Sequence, residues 1–431
     1  MLLMPSILKL LWNLVPRNAY GFAFALNLVV CACALFLKPV GVGDVALIWV
    51  DAFWLFAGFT LHIVMTFVCG YALISSPVFN RWLHMWVSLL PDVALYAGVF
   101  IITALLSWLN WGVGLVSSAM LCRIVIQQKR TVFYPALVMV AYSGFIVWHG
   151  GVTGSAPLLV SAQKVLIEGV AGPLPLTSTI FAPWNIALTA FVVITMVCAI
   201  LILQYWLKRR GAQEPIVTLQ ETAHVAVHAK ANERVLTYAF CLMGGVFCIV
   251  SFWRGHACDL GMVNIIFFLL ALAFHQGWSR LLPILQKCLD SAVPIIVQFP
   301  LYAAIAGVLN HTGLGQDLVN LLMVGSTDRT LSLWTFLSAG FVNLLIPSGG
   351  GQWLVQGPIV LTAAAKLHVP YPHVVMALAW GDAWTNLIQP FWMLPVMQLC
   401  HLRLRHVLPY AIYLLCVSGV AMALFFLFFM T

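Results

Sequence analysis

Apolar residues run through this chain in long, nearly unbroken stretches instead of alternating with polar ones. Residues 19–37, 182–207, 236–252 and 407–429 are almost free of charge. Each approaches or exceeds the roughly 20 apolar residues that an α-helix needs to cross a hydrocarbon layer of about 30 Å. Membrane strands would show short segments of alternating polarity instead. The pattern predicts an all-α polytopic membrane protein. Four polar interruptions break it. "SWLNWGVG" (107–114) and "NLLIPSGGGQWLVQGP" (343–358) sit between apolar arms, about 91–122 and about 331–365, and predict helical hairpins with polar, glycine-rich tips. "VWHGGVTGSAPLL" (147–159) and "AWGDAWTNLIQPFW" (379–392) fall inside longer apolar segments, about 132–163 and about 373–400, and predict broken transmembrane helices. The stretch from Asn110 to Thr153 is one residue longer than that from Asn343 to Thr385. A hairpin followed by a broken helix therefore recurs at one spacing, with Asn110 and Asn343 in matching places.

Charge adds an orientation. Only 7% of the 431 residues are charged, against roughly 25% in soluble domains. A net charge of +8 would suggest nucleic acid for a soluble protein; here the excess of Lys and Arg in cytoplasmic loops accounts for it, and no nucleic-acid partner is expected. The basic start (Lys9, Arg17) leads into an apolar run without a cleavage signal, so the N-terminus is placed in the cytoplasm. Alternating sides then leaves only Lys38, Lys164, Arg254, Arg329 and Lys366 of the 20 Lys and Arg residues outside. The map requires the first hairpin to enter and leave on the inside and the second on the outside. Residues 1–207 and 235–431 then form two inverted-topology repeats, each with two helices, a re-entrant hairpin, a broken transmembrane helix and a closing helix. A linking helix at 236–252 joins them.

The polar stretch 208–234 reads as a cytoplasmic linker in which "ETAHVAVHAKANER" suits a short surface helix. Its His224 and His228 belong to a solvated face and lack a third metal ligand nearby. The 11 cysteines show no C-x-x-C spacing and read as small core residues.

Inverted repeats whose broken helices meet near the midplane are the architecture of secondary transporters. Non-helical backbone survives at that depth only where it is buried in protein or lines a wet cavity. Gly112, Gly114, Gly150, Gly151, Gly349, Gly350 and Gly351 allow close approach and positive φ, while Pro347 ends the arm before it. The N–H groups that open the following half-helices carry partial positive charge suited to an anion. Thr153, Ser155, Ser348, Gln352, Gln356, Thr385 and Asn386 add neutral donors and acceptors, while for Asn110 and Asn343 orienting a tip through its backbone and ligating an ion are both open. Asp382 is the only acid in the four motifs. An acid inside a membrane is functional by default, so it is expected to bind or carry a cation, with a helix cap as the alternative. Asp51 and Asp92 read as helix starts near an interface. His149 precedes a break, where titration and a structural bond are both open.

No Lys or Arg lies in any motif, so a substrate carboxylate is expected on half-helix N-termini and hydroxyls. Moving one negative charge inward against about 100 mV costs about 2.3 kcal/mol. Uptake therefore calls for a coupling cation, H+ or Na+, with a sodium site at the hairpin tips as one form of it. No other cofactor is expected. The sequence has no H-E-x-x-H, paired carboxylates or nucleophile beside a base, so it is not expected to be an enzyme.

"IPSGGGQWLVQGP", "GDAWTNLIQPFW", "NWGVGLV" and "VQFPLYAAIAG" resemble the short-chain fatty acid transporter family, the AtoE-like proteins, and the similarity runs from "WVDAFWLFAGF" (49–59) to the last helix. The resemblance implies the ion transporter superfamily, in which hairpins and broken helices hold substrate and cation. It also implies a carboxylate such as butyrate or acetoacetate and symport across the inner membrane by displacement of that core. A dicarboxylate carrier or sodium/proton antiporter of the same architecture is the alternative. Assembly as a homodimer is left open.

Overall fold

The computed structural model describes residues 19–55, 57–162, 165–167, 170–211, 230–255 and 260–430. Lys9, Arg17, Lys164, His224 and His228 lie outside them, as does most of the expected surface helix. The described chain is almost entirely helical. It opens with α1 (Ala19–Leu37), α2 (Val42–Leu55), α3 (Ala57–Ile74) and α4 (Pro77–Leu89). Next come α5 (Leu95–Leu109), α6 (Trp111–Gln127), α7 (Tyr134–Ser143), a 3-10 segment at Gly144–Gly150 and α8 (Ser155–Ala162). A two-stranded antiparallel pair, β1 (Val165–Ile167) and β2 (Val170–Ala171), leads to α9 (Pro183–Arg209). After the linker follow α10 (Ala231–Trp253), α11 (Leu260–His275), α12 (Trp278–His311) and α13 (Leu314–Leu322). The chain closes with α14 (Leu331–Leu345), α15 (Gly349–Leu367), α16 (Tyr371–Thr385), α17 (Pro390–Leu399) and α18 (Leu404–Phe429).

The same order of parts occurs twice. A short amphipathic helix (α4, α13) precedes a helical hairpin (α5–α6, α14–α15), then an interrupted helix (α7 to α8, α16 to α17) and a long closing helix (α9, α18). The structure divides the segments before each hairpin more finely than the two helices expected. Between α3 and α4 the axis turns by 69°, where Ser76 accepts from Phe79 N and Pro77 opens the new helix. This is the usual chemistry of a helix start, with an oxygen for an orphan N–H and a proline where no donor is needed. Between α12 and α13 the turn is 81°, made by Gly313 at φ 72°. Asp51 is exposed in the third turn of α2 and does not start a helix. Asp92 precedes α5 and pairs with Arg130.

Packing groups the helices into two bodies that share a broad seam where α3 meets α6. α12 lies against α1, α2 and α3, while α11 packs on α3 and α10. In the other body, α14 lies along α16, α5 along the 3-10 segment, and α9 against α18. Burial follows the same division: 94% of the most apolar window in Tyr134–Ser161 is covered by protein, but only 6% of that in Ala231–Trp253. The interrupted helix is thus a core element, whereas α10 presents its apolar surface outward, as a lipid-facing helix does.

Close backbone approach holds both bodies together, because lipid removes most of the hydrophobic drive between helices and leaves packing to bring them together. A Cβ on Gly381 would lie 2.2 Å from the Phe336 carbonyl of α14, and one on Gly144 would lie 2.1 Å from Thr103 Oγ1 of α5. Between the bodies, Gly70 of α3 crosses Gly112 of α6. A Cβ on Gly70 would come within 2.8 Å of Gly112 backbone, and one on Gly112 within 2.6 Å of the Thr66 carbonyl.

Candidate functional site

Each hairpin tip is fastened to the interrupted helix that follows it. In the first half a single extended residue, Asn110, turns the chain, and its Oδ1 accepts from Val113 N at 3.0 Å. Trp111 N then donates to Thr153 Oγ1 at 3.1 Å, and Val152 N to the Trp108 carbonyl at 2.8 Å. Gly151 is required at that crossing, since a Cβ would lie 2.2 Å from the Trp108 oxygen. In the second half, residues 346–348 make the turn and Ser348 Oγ accepts from Gly351 N at 3.2 Å. By role, Asn110 therefore matches Ser348 and not Asn343. The spacing misled because the second turn inserts Ile346 and Pro347 between arm and cap.

Asn343 lies in the last turn of α14 and holds the break of the second interrupted helix. Its Nδ2 is 2.9 Å from the Asp382 carbonyl, 2.9 Å from Thr385 Oγ1 and 2.8 Å from Asn386 Oδ1. An amide nitrogen has two hydrogens for these three acceptors, while the buried Asn343 Oδ1 has no partner. Rotating this amide gathers four oxygens at the break, a neutral set suited to a hard cation such as Na+. Thr385 Oγ1 donates to the Gly340 carbonyl at 2.9 Å, which keeps a lone pair free for the cluster.

The two interrupted helices meet at His149 and Asp382, both 0% exposed. His149 Nε2 accepts from Ala156 N at 3.1 Å, so the ring hydrogen of the neutral imidazole sits on Nδ1 and is donated to Asp382 Oδ1, also 3.1 Å away. Asp382 Oδ2 is buried without a partner. Trp148 stacks on the imidazole with centroids 4.2 Å apart. Gly349 covers it from the second hairpin, where a Cβ would lie 2.4 Å from Cε1. Asn185 of α9 ties the halves again, donating to the Gly150 carbonyl and accepting from Trp380 Nε1 at 2.9 Å. Tyr142 donates to the Asn386 carbonyl at 2.6 Å.

The structure thus brings together Asn110, Gly150, Gly151 and Thr153 with Asn343, Ser348, Gly349, Asp382, Thr385 and Asn386. Other expected site residues have packing roles. Gln352 donates to the Ala339 carbonyl and to Gln356 Oε1, and Gln356 donates to Ser338 Oγ, so this pair braces the arms of the second hairpin. Gly112 serves the crossing with α3, and Gly114 packs on Ser107 of its own hairpin. Ser155 opens α8 half-buried, and Gly350 and Gly351 form the buried first turn of α15. None of the site glycines has positive φ; their missing Cβ, not a left-handed backbone, is what the fold uses. Nor are all the half-helix N–H groups free for an anion. Those of Val113, Gly351, Phe391 and Ala156 are taken by Asn110, Ser348, Gln389 and His149.

What remains unpartnered are buried side-chain donors: Asn110 Nδ2, Asn386 Nδ2, Trp148 Nε1 and Trp392 Nε1. The rings of Trp111, Phe145 and Trp148 surround Trp392 at centroid distances of 5.3, 5.5 and 6.1 Å. Sequence reading gave Gln389, Asn185 and Trp148 no role, because each depends on which helices cross. Among the described residues the ion pairs to Lys or Arg are peripheral, Lys38 with Asp317 and Arg130 with Asp92. No group of three or more His, Cys, Asp or Glu in them is placed to hold a metal. A cleft of about 390 Å³ lies at the base of the first hairpin, lined by Asp92, Tyr96, Phe133, Gln204 and Lys208.

The sequence profile of the family described as "Short chain fatty acid transporter" matches residues 7–429. A protein of Escherichia coli strain K12 named for short-chain fatty acid transport is 31% identical over 411 residues, covering 93% of each chain. One of the same name from Haemophilus influenzae strain Rd is 30% identical over 409 residues, covering 90% of each. Among solved structures, the YdaH transporter of Alcanivorax borkumensis, reported to have an unusual topology, aligns over 95% of this chain and 98% of its own with a TM-score of 0.53. At 16% identity that likeness concerns the fold alone.

Proposed function

The chain belongs to the short-chain fatty acid transporter family, and on that premise we propose that it is a secondary active transporter of short monocarboxylates, of the butyrate and acetoacetate class, driven by a cation. The observation that carries this reading is the set of buried, unpartnered N–H donors, two of them on the packed rings of Trp148 and Trp392, to which no Lys or Arg among the described residues is bonded. Neutral N–H donors suit one carboxylate. The aromatic walls suit a short apolar tail, which gains about 0.8 kcal/mol per buried CH2. A second carboxylate would bring a charge for which this group offers no compensation.

The halves are proposed to be inverted repeats in the inner membrane, with the N-terminus in the cytoplasm and the hairpins re-entering from opposite sides. Each half contributes a tip and a break to one site. The site residues are almost completely covered, so access requires the body formed by hairpins and interrupted helices to move against the other. The cation offsets the cost of carrying an anion inward, and the four oxygens around Asn343 are the sodium candidate.

Uptake of labelled butyrate by purified protein in liposomes, with pH and sodium gradients imposed separately, tests the proposal. Protein-free vesicles must be subtracted, because the undissociated acid crosses lipid. Gradient-driven accumulation is expected; its absence under both gradients removes the substrate assignment. Trp392→Phe keeps the ring but deletes the donor, and a hydrogen bond to a charged group contributes about 1.5–3 kcal/mol. Its KM should rise by about tenfold or more, and an unchanged KM would take the indole out of the site.

A further inference from the structure

α12 carries two buried polar side chains without partners, Tyr302 beside the second tip and Gln298 one turn earlier on the same face. We infer that they read an uncharged hydroxyl on the substrate, which makes short hydroxy monocarboxylates the preferred class. The inference rests on the carboxylate-transport reading and narrows it. Gln298 is 0% exposed and Tyr302 1%. Neither Nε2 nor Oε1 of Gln298 has a partner among the described residues, and neither has the Tyr302 hydroxyl.

An amide unpaired at both ends calls for a ligand that accepts and donates. A carboxylate or a ketone only accepts, an alkyl tail does neither, and a hydroxyl does both. Size points the same way. Tyr302 meets Ser348 and Gly351 across a space of about 10 Å³, the room that one water-sized group needs and too little for a carboxylate with its two oxygens. Ser348 Oγ accepts from Gly351 N and keeps its own hydrogen to donate. The rest of the lining is apolar, from Phe299, Ala303, Ala306 and Ile346, so an uncharged group belongs there.

This point lies within reach of the carboxylate donors. Phe391 packs edge-on against Tyr302 with centroids 5.7 Å apart and against Trp392 at 5.0 Å. One ring thus separates the Tyr302 phenol from the Trp392 indole. A short chain laid along Phe391 puts its carboxylate at the indole and its hydroxyl at α12. α12 belongs to the body that contains α1, α2 and α3, whereas Ser348 and Trp392 belong to the other, so the hydroxyl is where the substrate touches both. A buried site built to bond a hydroxyl discriminates against the analogue that lacks it, because its own polar groups are then left unpaired.

Uptake of labelled β-hydroxybutyrate, acetoacetate and butyrate by the full-length protein in liposomes, with protein-free vesicles subtracted, tests the assignment. KM is expected to be lowest for the hydroxy acid, higher for the keto acid and highest for butyrate, with about tenfold or more between the first and the last. Tyr302→Phe and Gln298→Leu keep the packed volume and delete the polar atoms. In each, KM for β-hydroxybutyrate should rise by about tenfold or more while that for butyrate holds or falls, a change of preference that lost packing alone does not produce. A parent KM for butyrate equal to or below that for β-hydroxybutyrate overturns the proposal, and so does an unchanged ratio in both variants; butyrate uptake leaves the transport reading standing in either case. No uptake of any of the three acids removes the transport reading instead. The heat stability of the purified protein in detergent then decides: greater stabilisation by β-hydroxybutyrate than by butyrate, lost in Gln298→Leu, upholds the hydroxyl site, and its absence overturns it.

Discussion

At Gln298 the amide is 0% exposed and neither its nitrogen nor its oxygen has a partner. Tyr302, one turn further along α12, also has an unpartnered hydroxyl and lines a void of about 10 Å³ with Ser348 and Gly351 of the second tip. Leaving such groups unpaired costs about 1–3 kcal/mol each. Gln298→Leu is therefore expected to raise the unfolding temperature in detergent. If the amide serves a second conformation it should also slow butyrate uptake, which a flux assay reads directly. Gly349 gives a sharper case. Gly349→Val places methyl groups on the His149 ring, where even a Cβ would lie 2.4 Å from Cε1, and should abolish transport while leaving the amount of protein in the membrane unchanged. The sequence marked Gly349, Asn343 and Asp382 because polar and glycine residues are conspicuous in an apolar chain. It gave no sign that His149 and Asp382 are partners, since 233 positions separate them and only the crossing of two helices joins them.

Helices and their interruptions were largely legible. Continuous apolar runs gave α1, α9, α10 and α18 but not α12, the longest helix, whose first half carries Arg280, Lys287 and Asp290; Pro347, the Gly349–Gly351 run and the glycines around Thr153 marked the breaks. The short helices α4 and α13 were not, because a search for apolar runs passes over periodic segments. α4 alternates buried Leu83 and Val87 with exposed Trp82, Trp86 and Leu89, the stripe of an amphipathic helix. The role of Gly112 was also hidden, since a small residue at a polar tip looks like part of a site until its neighbour is seen. Gly112→Val pushes α3 off α6 at their closest point. Overpacking of this kind costs about 1–3 kcal/mol, so the variant should unfold at a lower temperature, and Gly70→Val should repeat the effect from the other helix.

At the level of the whole molecule, orientation is the largest prediction. Lys208 and Lys230, at the ends of α9 and α10, should be modified by an impermeant amine reagent from the cytoplasmic face, and Lys38 from the opposite one. Lys208 and Lys38 reacting from one side would overturn the proposed placement of the first half. The proposed movement of one body against the other would also meet a mechanical limit. The strand that ties α4 to α5 comprises residues 90–94, a leash of no more than about 20 Å when fully drawn out. Arg130 knots it short by bonding both the Leu90 carbonyl and Asp92. Its counterpart between α13 and α14 comprises residues 323–330 and has more slack. If the proposed movement runs between these elements, the first leash sets its reach, and lengthening that leash is the way to learn whether travel or chemistry sets the pace of uptake.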